Sequence, residues 1–267
     1  MAPEHKSSRL NIDLHVHSNH SCDAKSSLDE MCQAAVKKGV SIVCFTEHVD
    51  MNPKDEGYGH FQYDKYTEDI KRARENYEGR LTILKGIEFS EPHVYPREFE
   101  DLTKADFDFV LGSVHWLKEF GAYWDDDNRL LPTYPTQRLF EAYYREVMET
   151  IRFGGFDSLA HIDFPKRYLL SKYEPVNILN EIMGELVKKG IALEINSHPI
   201  RKEYPEINPS DNICALYARH GGKTVTTGSD AHRPEHVGQD FDSLDRVVKL
   251  YDFRPVYFVQ RKETPVI

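Results

Sequence analysis

Two histidines one residue apart stand where an apolar run turns polar: His15 and His17, in the stretch DLHVHS at residues 13–18. On an extended strand alternate side chains face the same way, so the two imidazoles share a face a little under ~7 Å apart along the chain. At that spacing both can lean onto one ion, and histidine is the commonest metal-binding side chain. Taken alone, the pair reads equally well as two half-buried histidines at a strand end.

The same kind of residue recurs at the end of one apolar run after another. Glu47 and His48 close SIVCFTEH, Glu88 closes LTILKGIE, and His115 closes FDFVLGSVH. His161 lies in FDSLAHID, Asp230 and His232 in KTVTTGSDAH, and Glu194 and Asn196 share a face of IALEINS. Scattered structural histidines would not all gather at one end of their strands. Alternation turns Glu47 away from His48, toward a supporting role, and Glu194 reads as a support for a ligand. Glu91 and His93 fall in a loop, while His5, His60, His198, His220 and His236 fall in tails, loops or helix ends and read as surface residues. A zinc ion takes about four ligands, so six histidines with carboxylates imply two or three ions. Nitrogen and oxygen donors suit zinc, manganese or iron.

These residues need a scaffold that brings strand ends together. Seven short apolar runs, at 11–17, 41–48, 81–88, 107–115, 156–163, 191–197 and 223–232, alternate with amphipathic segments near 27–38, 62–78, 135–152, 174–189, 210–220 and 241–251. A shorter helix is expected within 96–104, and YFVQR (257–261) as a last edge strand. Ser26 or Ser27 would cap the first helix and Gly39 stop it. Such alternation implies parallel strands with helical crossovers, and seven of them a closed or nearly closed barrel. In α/β barrels the site lies at the C-terminal strand ends, where the candidate ligands fall. No linker or composition shift divides residues 1–267, so one domain is expected.

Composition agrees. The 267 residues are 40% hydrophobic and 29% charged, ordinary for a soluble globular protein. No apolar run approaches the ~20 residues of a membrane span, and the N-terminus lacks a signal-peptide pattern, so a cytoplasmic protein is expected. Cys22, Cys32, Cys44 and Cys214 form no C-x-x-C pair. The net charge of −10 without a basic tract argues against a nucleic-acid partner. A small-molecule substrate fits better, and no oligomer is indicated.

The motifs DLHVHS, CFTEHVD, GIEFSEP, GSVHWL, SLAHIDFPKRY, LEINS and GSDAHRPEHVG together resemble the PHP (polymerase and histidinol phosphatase) family of metallo-phosphoesterases, over nearly the whole chain. The resemblance is strongest to its monofunctional histidinol-phosphate phosphatases. It implies a distorted (β/α)7 TIM-like barrel with up to three divalent ions. Carried over, His15, His17, Glu88 and Asp230 hold the first ion, and Glu88 bridges to a second completed by His115 and His161. A third takes His48, His232 and the residue six places after His17. That residue is Asp23, where many relatives have histidine; His20 is the nearby alternative. Three divalent ions bring about +6, and Asp23, Glu88 and Asp230 return −3, leaving a remainder of about +3 that suits a dianionic phosphate. The resemblance also places an arginine in each of two loops at the phosphate. Arg167, beside Lys166, and Arg201, beside Lys202, are the expected residues, with Lys166 as a further substrate contact. The implied reaction is attack on L-histidinol phosphate by a metal-bridging hydroxide. The alternatives are another phosphomonoester, a phosphotyrosine protein, or amidohydrolase-like hydrolysis.

Overall fold

The computed structural model describes residues 11–120, 122–123, 134–168, 171–201 and 206–266; His5 and Lys202 lie outside the described residues. The first half of the chain runs β1 (Ile12–Val16), α1 (Leu28–Lys38), β2 (Ile42–Val49), α2 (Tyr63–Asn76), β3 (Thr82–Ser90), α3 (Pro96–Leu102) and β4 (Phe109–Ser113). A short hairpin, β5 (Trp116–Leu117) with β6 (Ala122–Tyr123), precedes α4 (Thr136–Phe153). Then come β7 (Ser158–Leu159), α5 (Val176–Lys189), β8 (Ala192–Asn196), α6 (Asp211–Arg219), β9 (Thr224–Gly228), α7 (Phe241–Leu250), β10 (Arg254–Val259) and β11 (Lys262–Pro265).

Strands β1, β2, β3, β4, β7, β8 and β9 lie side by side in that order, all parallel. The two ends of this row meet. His17 N donates to Ala231 O at 2.9 Å, and Thr227 Oγ1 donates to Ile12 O at 2.9 Å. This is the distorted (β/α)7 TIM-like barrel. Its helices begin and end where local chemistry dictates. Ser27 caps α1 in a reciprocal box with Glu30, and Gly39, at φ 76°, stops it because a left-handed residue there costs glycine nothing. In α4, buried Leu139, Tyr143, Val147 and Ile151 recur every four or so residues and dock the helix on the barrel. Among the described residues no helix is long and apolar enough to cross a membrane.

Two apolar clusters divide the protein. One joins helices to the outer faces of the strands. The other, with Ile12, Leu14, Leu84, Phe109, Val256 and Phe258, contains no helix residue and fills the barrel's interior. The C-terminal segment departs from expectation. β10 pairs with β9 only at Arg254 and Pro255, then turns back on β11. Gln260 and Arg261 are not strand but the turn itself, at φ 49° and 63°. That turn is tied below the barrel. Gln260 N donates to Asp108 Oδ1 at 3.1 Å and Arg261 Nε to Asp157 Oδ2 at 2.5 Å. Phe258 stacks on Phe109, ring centroids 5.4 Å apart.

Candidate metal centre

The opposite end of the barrel gathers the polar residues. Strand β1 reaches it by a change of face. Ile12 and Leu14 belong to the interior cluster, Val16 belongs to the outer one, yet His15 and His17 both face the mouth. Strict alternation cannot place Leu14 and His15 on one side. The pairing of β1 with β2 shifts between Asp13 and Val16, and such an irregularity re-aims the side chains beyond it.

His15, His17, His48, His115, His161, His232, Glu88, Asp230 and Asp23 all converge there. Glu88, fully buried, lies between two groups of them. Its Oε2 is 3.1 Å from His15 Nε2, 3.6 Å from His17 Nε2 and 3.1 Å from His48 Nδ1. Its Oε1 is 2.8 Å from His161 Nε2 and 3.4 Å from His115 Nε2. Asp230 Oδ1 is 3.7 Å from His15 Nε2, 3.5 Å from His17 Nε2 and 3.5 Å from His232 Nδ1. Asp23 Oδ2 reaches His232 Nε2 at 3.0 Å and His48 Nε2 at 3.5 Å. His20, the alternative to Asp23, turns instead to Asp69, 3.0 Å away on α2.

Burial opposes charge on all these carboxylates, but their neighbours win. His15, His48 and His115 hold Glu88 well below the usual carboxylate range. Arg167 and His15 do the same for Asp230, and His48 and His232 for Asp23. Burial pushes His161 down to about 4, so its ring is neutral with a lone pair to give. The donor set fits metal ions. Four overlapping groups (His17, His48 and His232; His15, His161 and Asp230; His15, His17 and Glu88; His48, Glu88 and His115) each bring ligand atoms within 4.8 Å of one another. His17 Nε2 is buried without any hydrogen-bond partner, a costly state that a ligated ion relieves.

Other carboxylates hold the candidate ligands from behind. Glu194 Oε1 is 2.5 Å from His15 Nδ1, and its Oε2 accepts from His161 N at 2.7 Å. Gly228 makes room, since a Cβ there would meet His15 Cβ and Glu194 Oε1. Glu47, also buried, accepts from the hydroxyls of Ser18 and Ser21. Glu91 accepts from His115 N at 2.5 Å and Trp116 N at 2.9 Å. His161 and Asp230 sit at φ 22° and 52°, backbone strain of the kind that clusters at functional sites.

Two guanidinium groups border the cluster. Arg167 Nη1 is 2.6 Å from Asp230 Oδ2, and its Nε and Nη2 are buried without partners. Arg201 donates through Nη2 to Ser229 O at 2.7 Å and Asp230 O at 3.2 Å, leaving Nη1 buried and unpartnered. Lys166 is placed differently. Its Nζ is 2.5 Å from Glu174 and 3.2 Å from Asp163, so both its charge and its donors are engaged away from the ligand cluster. His198 is not a surface residue: its Nδ1 is 3.3 Å from Asp230 O, with Arg167 and Arg201 beside it. The signal was present in sequence, because His198 follows β8 much as His115 follows β4. His93 is also tied in, between Glu146 at 2.8 Å and Thr150 at 2.9 Å on α4.

Comparison with known proteins identifies the family. The PHP domain model matches residues 13–198, and a PHP-associated model residues 214–246. The chain is 30% identical over 261 residues to a probable histidinol-phosphatase of Deinococcus radiodurans, covering 95% of this chain and 98% of that protein. It is 29% identical over 261 residues to a probable histidinol-phosphatase of Clostridium acetobutylicum, at 94% and 97% coverage. The crystal structure of histidinol phosphate phosphatase from Lactococcus lactis, complexed with zinc, L-histidinol and phosphate, superposes with a TM-score of 0.85. That match covers 96% of this chain and 99% of the other at 23% identity.

Proposed function

Because the chain belongs to the PHP domain family, we propose that it is a metal-dependent phosphatase hydrolysing L-histidinol phosphate to L-histidinol and phosphate in the cytoplasm, as a step of histidine biosynthesis. We read residues 1–267 as one domain, a reading supported by the single nine-stranded sheet that takes in every described strand except β5 and β6. The observation that carries the phosphatase reading is the pair Arg167 and Arg201. Arg167 keeps two buried guanidinium nitrogens, and Arg201 one, without partners beside the ligand cluster, and a buried donor left unpaired costs about 1–3 kcal/mol. A phosphoryl group satisfies such donors in pairs; a neutral amide has too few oxygens and no charge.

His15, His17, Glu88 and Asp230 would hold one ion, Glu88, His115 and His161 a second, and His48, His232 and Asp23 a third, drawn from zinc, iron or manganese. When bound, such ions supply Lewis acidity toward the phosphoryl oxygens and a water of lowered pKa. The protein's own groups do the rest. Glu194 holds His15 in the tautomer that leaves Nε2 free, and Glu88, shared by both groups, fixes their spacing. Arg167 and Arg201 orient the phosphate and take up charge as it shifts onto the non-bridging oxygens. Lys166 is tied to Glu174 and steadies the turn bearing Arg167, in place of the substrate contact expected for it.

The test is phosphate release over a panel of monoesters with metal-reconstituted protein. Histidinol phosphate should exceed sugar phosphates, nucleotides and a phosphotyrosine peptide in kcat/KM by about 10²-fold or more, the margin a site built for a substrate's polar groups can reach. The chain should also restore growth without histidine to a strain lacking that phosphatase. Faster turnover of another monoester, with no rescue, would assign the site to that substrate.

A further inference from the structure

The ring of His17 is held by a serine. Ser21, in the loop after β1, is buried, and its hydroxyl stands at a three-way junction. It donates to Glu47 Oε2 at 2.6 Å. It accepts from His48 N at 2.9 Å and faces His17 Nδ1 at 3.1 Å. A hydroxyl has one proton and two lone pairs. Here Glu47 takes the proton and the amide of His48 takes one lone pair. The remaining lone pair demands a donor, so His17 must carry its proton on Nδ1. Its Nε2 then presents a lone pair, and that is the nitrogen 3.5 Å from Asp230 and 3.6 Å from Glu88.

Glu47 is fully buried, and among the described residues its partners are serines rather than a cation. Ser18 N approaches at 3.0 and 3.1 Å, and Ser18 Oγ donates at 2.6 Å. With these and Ser21 its oxygens accept only, as an ionised carboxylate does. We propose that Ser21 is a positioning residue that relays the charge of Glu47 to the His17 ring, fixing the Nδ1–H tautomer so that Nε2 is aimed and electron-rich before an ion arrives. The same hydroxyl grips the His48 backbone and the loop leading to Asp23, so one contact couples ligands of more than one ion. The proposal rests on His17 being a metal ligand. Partners behind ligating histidines are typically worth 10- to 100-fold in affinity.

The test is made on the metal-free full chain and on zinc binding, without turnover. Long-range proton–nitrogen NMR, with His17 signals assigned by their loss in His17→Gln, should show Nδ1–H in the wild type. Ser21→Ala should shift His17 toward Nε2–H and weaken zinc binding about 10- to 100-fold, and Ser21→Thr, which restores the hydroxyl, should recover both. Glu47→Gln keeps the hydroxyl and removes the charge. It should retain the tautomer and weaken zinc several-fold, and it decides the relay if Ser21→Ala fails to fold. A folded Ser21→Ala with Nδ1–H on His17 and wild-type zinc affinity would overturn the proposal, as would Glu47→Gln with unchanged zinc affinity. Wild-type protein that binds no zinc, iron or manganese would instead overturn the metal reading, while the tautomer of His17 in Ser21→Ala still decides the role of Ser21.

Discussion

Asp23 and His20 sit three residues apart and have opposite fates. The Asp23 side chain is 51% exposed and faces His48 and His232, whereas His20 is buried against Asp69 and the ring of Tyr66. Asp23→Asn keeps the shape and removes the charge. It should cost one metal equivalent and lower kcat, read by metal analysis beside kinetics. His20→Ala should leave metal content intact and cost about 1 kcal/mol of stability, seen as a small drop in Tm; loss of an ion in His20→Ala would reverse the two roles. Arg201→Ala should keep its metals, raise KM and lower kcat, with kcat/KM down about 10²-fold. Arg201→Lys should recover only part, because a point charge cannot make two parallel bonds. Kinetics of Arg201→Ala equal to wild type would leave the phosphate to Arg167.

Arg167 owes its position to the element that carries it, a single 3-10 turn at Phe164–Arg167. So short a turn has little stability of its own, and its neighbours hold it. Lys166 binds Glu174, which also accepts from Ser210 Oγ and Asn212 Nδ2 at the start of α6. Lys166→Met fills the space without the charge. It should raise KM more than it lowers kcat, with metal content unchanged, because the guanidinium loses its orientation while the ligands stay. Equal loss of metals would place Lys166 in the support of the ligand cluster instead. At this scale the sequence was readable wherever the signal was local. The serine cap before α1, the glycine after it, and the strand-end placement of His115 and Glu88 all lie in short windows. The hairpin turn at Gln260–Arg261 was not, because its register is set by Asp108 and Asp157, far back in the chain. The face change in β1 was also hidden, since it depends on pairing with β2. The contact of Lys166 with Glu174 lies outside any short window, whereas His198 did carry a local signal, its place just after β8, and was read as a surface residue all the same.

Across the whole molecule the proposed ligands come from every part of the barrel, so metal loss should be graded. His15 and His17 are fully buried and backed by carboxylates, while the group of His48, His232 and Asp23 opens to solvent. Purified protein should carry more than one transition-metal equivalent, and a weak chelator should strip the exposed ion first. A strong chelator should abolish activity altogether. A single equivalent with full activity would remove the multi-ion reading. The arrangement also bears on how the protein is made. The site joins His15 to Asp230, and the barrel closes through Asp13, which accepts from Ser229 N at 2.9 Å and Ser229 Oγ at 2.6 Å. A growing chain that has emerged only as far as residue 220 has its first histidines in hand but neither Asp230 nor the β10–β11 plug beneath them. Translation delivers the floor and the final ligands last, so six strands must wait with an open seam. Ribosome-stalled chains of that length should be cut readily by protease and retain no zinc, and resistance should appear together with zinc retention once residues beyond 260 clear the exit tunnel.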